Sequence, residues 1–180
     1  DPPPARRASP AHDEEAGMTT ARLLAAAVLL AVASWGWAGP AQFPEPKPRD
    51  LCPVCGRVVP KYPPWIATVV YRNGHAHHFD GAKDLFKYLL EPARYARGHR
   101  SADIVRIGVT EYYDLRRIDA RQAWYVIGSD VLGPMGHELI PLASRADAEE
   151  FLRDHRGRRI LRFGEVTKAL TEKLDAGRFD

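Results

Sequence analysis

Trp65-Ile-Ala-Thr-Val-Val-Tyr71, then Asn73-Gly74, then His75-Ala-His-His-Phe79 is the stretch that decides the fold. The first run is rich in β-branched and aromatic residues and reads as a strand. Asn and Gly both tolerate positive φ, so Asn73-Gly74 is expected as a two-residue hairpin turn and His75–Phe79 as the returning strand. A helix is then expected from Asp80 or Gly81 through Leu90. Leu85, Phe86, Leu89 and Leu90 would form its apolar stripe, and Pro92 would help to end it. Asp103–Val109 reads as a third strand continuing towards Tyr113.

The same order recurs downstream. Ala123–Ile127 reads as a strand, and Asp130–Gly136 as a longer turn with two glycines and a proline. His137–Leu142 reads as the return strand. Ser144 is the expected N-cap of a helix over Arg145–His155, with Ala148, Phe151 and Leu152 inward and Gly157 as terminator. Arg159–Phe163 is a strand, and a last helix starts near Thr167. The reading is an α+β fold of two pseudo-repeated ββαβ-type halves with antiparallel sheets, 50–118 and 119–180. Each half is short of core alone, so the two are expected to pack together.

Composition agrees with a globular chain: 45% hydrophobic and 27% charged residues among 180. The net charge of +3 is mild and sits in stretches such as Arg156-Gly-Arg-Arg159, which read as solvated surface. No nucleic-acid-binding signature accompanies it. Residues 1–17 carry no hydrophobic period and read as disordered, or as an artefact upstream of a start at Met18. Residues 18–38 have the layout of a signal peptide: a short positive region, the apolar run Leu23–Ala33, and small residues at Gly36 and Ala38. The run is shorter than the roughly 20 residues a spanning helix needs. An uncleaved N-terminal anchor, holding the chain at a membrane facing the periplasm, is the alternative. Residues 39–49, with Pro40, Pro44, Pro46 and Pro48, read as a stiff linker.

The chemistry concentrates at Cys52-Pro-Val-Cys55-Gly56. These are the only cysteines, which excludes a disulfide scaffold. A tight turn can bring two thiolates three positions apart onto one ion, and soft thiolates select copper(I), zinc or iron–sulfur clusters. A structural zinc site would need two further ligands, for which His75, His77 and His78 are available. A disulfide and a thiol–disulfide oxidoreductase are the other readings. The latter needs a helix after the first cysteine, and Val58-Val-Pro60 and Pro63-Pro64 do not allow one. Met135, in Gly133-Pro-Met-Gly136, lies in a glycine-flanked turn, where a thioether would favour copper(I) over zinc. His75 and His77 share one strand face and are weaker metal candidates, as is His137. Asp80, Asp84, Asp114 and Asp130 look scattered, and no hydrolase, phosphate-loop or zinc-protease motif occurs.

These residues together resemble the NosL family of nitrous-oxide reductase accessory proteins. The likeness runs from about Asp50 to Thr167. It is carried by Cys52-Pro-Val-Cys55-Gly56, by His78-Phe-Asp80-Gly, and by Gly128-Ser-Asp-Val-Leu-Gly-Pro-Met-Gly-His137. Leu142–Ala148, Phe151-Leu152 and Gly164 follow in order. The resemblance implies an exported, periplasmic, non-enzymatic protein of two ββαβ-type halves. It would bind one copper(I) through Cys52, Cys55 and Met135. Its partners would be membrane-associated maturation components and a recipient copper enzyme. The family motif usually continues Cys-Gly-Met; here the third residue is Arg57. Many members are lipoproteins, and this chain lacks the cysteine for lipid attachment.

Overall fold

The computed structural model describes residues 43–180. The readings for 1–17 and 18–38, and the first residues of the linker, lie outside the described residues. No helix among the described residues is long and apolar enough to cross a membrane.

The first sheet holds β1 (Ala67–Tyr71), β2 (Ala76–Phe79), β3 (Ile104–Thr110) and β4 (Arg117–Asp119), in the order β2-β1-β3-β4. Two short helices, α1 (Ala82–Leu90) and α2 (Pro92–Tyr95), connect β2 to β3. The second sheet holds β5 (Trp124–Ile127), β8 (Ile140–Leu142) and β9 (Arg159–Arg162), in the order β8-β5-β9, with α3 (Arg145–Asp154) between β8 and β9. A small ribbon, β6 (Leu132–Gly133) with β7 (Gly136–His137), stands between β5 and β8, and α4 (Lys168–Asp175) closes the chain. Every strand pair is antiparallel. In both sheets the first strand is central, flanked by its hairpin partner and by the strand after the helix. Beyond that shared strand order, the repeat stays an expectation.

Burial explains the pattern. β1 is buried along its whole length, so its apolar run is continuous rather than alternating. Tyr125 and Ile127 of β5 join the large core with Val69, Leu85, Phe86, Val109, Leu161 and Leu174. Val126, pointing the other way, joins a smaller core of Ile140, Leu142, Ala148 and Phe151 under α3. The large core draws on both halves, which is how each short unit finds enough apolar area. Ser144 caps α3: its hydroxyl accepts from the Asp147 N–H at 3.1 Å, and the Asp147 carboxylate accepts from the Ser144 N–H at 3.1 Å.

Several local expectations change. The hairpin loop spans three residues, Arg72–Gly74, because Tyr71 and His75 already pair and only Gly74 takes positive φ (84°). On α1, Leu90 is 40% exposed and Tyr88 is buried in its place. β3 stops at Thr110, because the Glu111 carboxylate accepts from the Tyr113 and Asp114 N–H groups and turns the chain into β4. The stretch read as one strand, His137–Leu142, is shared between the ribbon and β8. At the end of α3 the left-handed residue is Arg156 (φ 55°), not Gly157. The linker residues 43–45 are docked: Arg117 donates to the Pro44 carbonyl and pairs with Glu45 at 2.8 Å, and the Phe43 ring lies under Arg106.

Candidate metal centre

Cys52–Cys55 forms a tight turn closed by the Leu51–Val58 bridge. The Cys52 carbonyl accepts from the Gly56 N–H at 2.8 Å, and the Cys52 N–H donates to the Arg57 carbonyl at 2.8 Å. Gly56 takes φ 75°, a conformation that a side chain would strain, so the glycine after the second cysteine is a backbone requirement. Backbone N–H groups of Val54 and Cys55 point at the Cys52 sulfur, and that of Arg57 at the Cys55 sulfur. Such N–H···S contacts favour the thiolate over the thiol. Both cysteines are free, Cys52 buried and Cys55 half-buried.

The sulfurs face two carboxylates. Cys52 Sγ lies 3.3 Å from Asp84 Oδ2, and Cys55 Sγ lies 3.1 Å from Asp80 Oδ1. One ligand atom from each of the four residues falls within 4.8 Å of all the others. Asp80 directly follows β2 and Asp84 sits one helical turn later, in the first turn of α1, so a single strand-to-helix corner supplies both. The pair looked scattered in sequence; its i, i+4 spacing across the start of an amphipathic helix is the signal that marks it. Both carboxylates are buried, and Asp80 Oδ2 and Asp84 Oδ1 have no hydrogen-bond partner among the described residues. Two cations stand near them: Arg57 Nε is 3.8 Å from Asp80 Oδ2, and Lys87 Nζ is 3.8 Å from Asp84 Oδ1.

Burial, then the facing carboxylates, push the Cys52 thiol well above its usual range and the Cys55 thiol up to about 12. That is opposite to what an attacking thiol needs, and the cysteine turn opens no helix. The arrangement suits a different task. A soft cation held by the two cysteines would displace the thiol protons, and the carboxylates already accepting those S–H groups would be the nearest bases.

Met135 approaches from the ribbon. Its sulfur accepts from Arg57 Nε at 2.9 Å, and Arg57 also donates to the Tyr62 hydroxyl at 2.9 Å. Arg57 therefore touches both the Met135 thioether and Asp80, joining the ribbon to the cysteine corner. Met135 is 38% exposed, within reach of solvent. The weaker candidates go elsewhere. His137 packs edge-on against Phe179, and its Nδ1 is buried without a hydrogen-bond partner among the described residues. His75 and His77 join His99, a residue the sequence did not mark, in a separate cluster. His78 lies on the opposite face, its Nδ1 3.0 Å from Thr68 Oγ1. No histidine belongs to the cysteine group among the described residues.

Beneath the ribbon, Lys83 ties the centre together: its ammonium donates to the Met135 carbonyl at 2.9 Å and pairs with Asp175 at 3.0 Å. Glu138 is buried beside it and accepts from the Lys83 and Leu139 N–H groups, at 2.9 and 3.2 Å. Burial raises its carboxyl from an ordinary 4.5 to about 8. The folded group thus ionises later than the unfolded one. Its favourable contribution is whole below about pH 4.5 and is lost as pH rises through about 8. Glu138→Gln keeps an acceptor for both N–H groups and removes the charge. The variant is expected to melt several degrees above the parent at pH 9, with the gap closing towards pH 5. A gap that does not change with pH would contradict this origin.

The comparisons with known proteins bear on the family and the fold. The chain matches the NosL family over residues 43–171. It is 29% identical over 126 residues to the copper-binding lipoprotein NosL of Stutzerimonas stutzeri, an alignment spanning 69% of this chain and 65% of that relative. The fold superposes on the crystal structure of the copper chaperone NosL from Shewanella denitrificans with a TM-score of 0.60 and 27% identity. That match covers 72% of this chain and 98% of the other. A matched segment that holds the cysteine turn, the carboxylate corner and the methionine ribbon settles the affiliation: the chain belongs to the NosL family.

Proposed function

We propose that this protein is an exported copper(I) carrier that works without turnover, delivering copper for the maturation of nitrous-oxide reductase or a related copper enzyme. The observation that carries the proposal is the convergence of two thiols, backed by N–H groups, in one four-donor corner to which Arg57 joins the exposed Met135 thioether. Its partners are then the recipient copper enzyme and its maturation machinery in the periplasm, with membrane association through the N-terminal segment if that segment stays uncleaved. The relatives named for copper support the choice of metal. Cys52 and Cys55 are the anchoring ligands, and Met135 is a third, labile one that a recipient could displace.

Copper(I) titration of the reduced full chain against a competing chelator tests the proposal. One equivalent is expected to bind and to protect both thiols from alkylation. Thiols that alkylate equally fast with and without copper(I) would exclude the site. Met135→Ala is expected to weaken binding. Arg57→Met removes a fixed positive charge and adds a thioether, so it is expected to strengthen binding, by about fivefold from the charge alone if that is worth about 1 kcal/mol.

A second reading has its own support. Carboxylates are hard ligands, and two thiolates with two carboxylates make a four-donor set that suits zinc(II). If zinc(II) displaces copper(I) from the reduced protein at equal concentration, the zinc reading replaces the first.

A further inference from the structure

The cluster that the cysteine centre leaves unused is His75, His77 and His99. We propose that it is a second metal site, separate from the cysteines, for a divalent ion of borderline softness, copper(II) or zinc(II). The three residues come from two places. His75 and His77 lie on one face of the β1–β2 hairpin, just past its loop; His99 lies in the turn after α2. One ring nitrogen from each falls within 4.8 Å of the other two. Ring centroids are 4.6 Å apart for His75 and His77, and 4.9 Å for His75–His99 and for His77–His99. Around a tetrahedral ion with metal–nitrogen bonds of about 2.0 Å, the donors would stand roughly 3.3 Å apart. The His75 and His99 rings, now stacked with an interplanar angle of 9°, lie outside the strands and would have to turn to close the difference.

The surroundings fit a site rather than a chance meeting. The Tyr71 ring backs all three imidazoles, with centroids at 6.2, 5.9 and 4.6 Å, and Tyr88 lies behind His77 at 5.4 Å. Both tyrosines are buried, and their hydroxyls bond to each other, so the wall is rigid. The other side is open: His99 lines one surface cavity, and His75 and His77 line another. The backbone is set for both approaches, because the Asn73 side chain accepts from the His75 N–H at 3.0 Å and the His99 N–H donates to the Ala96 carbonyl at 2.9 Å. Three neutral imidazoles without a thiolate choose copper(II) or zinc(II) over copper(I), and the chain's soft donors are elsewhere. His77 is three residues before Asp80 along β2, about 10 Å of strand, too far for one ion to be shared with the cysteine corner.

The test uses the full chain carrying Cys52→Ser and Cys55→Ser, titrated separately with zinc(II) and copper(II) against a chelator of known affinity. One equivalent of each is expected to bind, and the copper(II) electron paramagnetic resonance spectrum is expected to show coupling to imidazole nitrogens. His99→Ala on that background should weaken binding by more than the roughly tenfold that losing a supporting hydrogen bond costs at metal sites. His137→Ala should leave it unchanged. If His77→Ala fails to fold, His75→Ala and His99→Ala, at loop positions, decide the matter. Absence of binding to the serine variant, or binding indifferent to His75 and His99, overturns the proposal. Copper(I) binding by the parent cysteines should be unaffected by His99→Ala, so the two centres fail or stand independently.

Discussion

Replacing both Cys52 and Cys55 by serine is expected to lower copper(I) affinity by at least about a thousandfold. The estimate takes each lost sulfur as worth more than the tenfold to hundredfold that outer hydrogen bonds contribute at metal sites. Serine keeps the shape and the hydroxyl can still donate to Asp80 and Asp84, whose oxygens now accept the thiols at 3.1 and 3.3 Å. What serine lacks is a soft, ionisable donor: its hydroxyl does not lose a proton to copper(I) at neutral pH. Fold and affinity should therefore separate. The variant is expected to melt cooperatively within a few degrees of the parent while losing the copper equivalent in a chelator titration. Affinity within tenfold of the parent would remove the cysteines from the site.

The second large effect is on stability. Phe86 is buried on α1, and its ring meets Tyr125 of β5 edge-on at 5.2 Å and Phe163 at 5.0 Å. It belongs to the first half and both partners belong to the second. Phe86→Ala is expected to cost about 3–5 kcal/mol, because it leaves a cavity where the halves meet. Urea denaturation should show the loss as a lower midpoint with the slope kept. Leu90→Ala, on the same helix but 40% exposed, should cost well under half as much. Equal losses at the two positions would mean that the joint between halves is not where the chain's stability lies. Since α1 also carries Asp84, the Phe86 variant should bind copper(I) less tightly before it unfolds.

The comparison of Phe86 with Leu90 shows where the sequence was readable. A helix over this stretch followed from its period, and so did Leu85 and Phe86 as inward residues. Leu90 was misplaced because the last turn of α1 buries Tyr88 instead, and which of the two faces the core depends on how the helix is set on its neighbours. The Asn73-Gly74 turn was located correctly, and its length was not. Turn residues announce positive φ, but the number of loop residues depends on where the strands pair, and here Tyr71 already meets His75. Ser144 as a cap was legible in full, since the capping bonds involve only Asp147, three residues on.

Local order was thus determined by the sequence alone: the β-branched runs, the capped helices, the cysteine turn with its Gly56. Each rests on interactions between residues a few positions apart. Only the tertiary structure decided what faces what. It set Asp80 and Asp84 against cysteines 25 and 32 positions away, drew His75 and His77 off to His99, and put Arg57 against a methionine 78 positions away. Those meetings depend on how α1, the β6–β7 ribbon and the hairpin pack on a shared core, and packing is a property of the whole set of buried side chains rather than of any window of sequence.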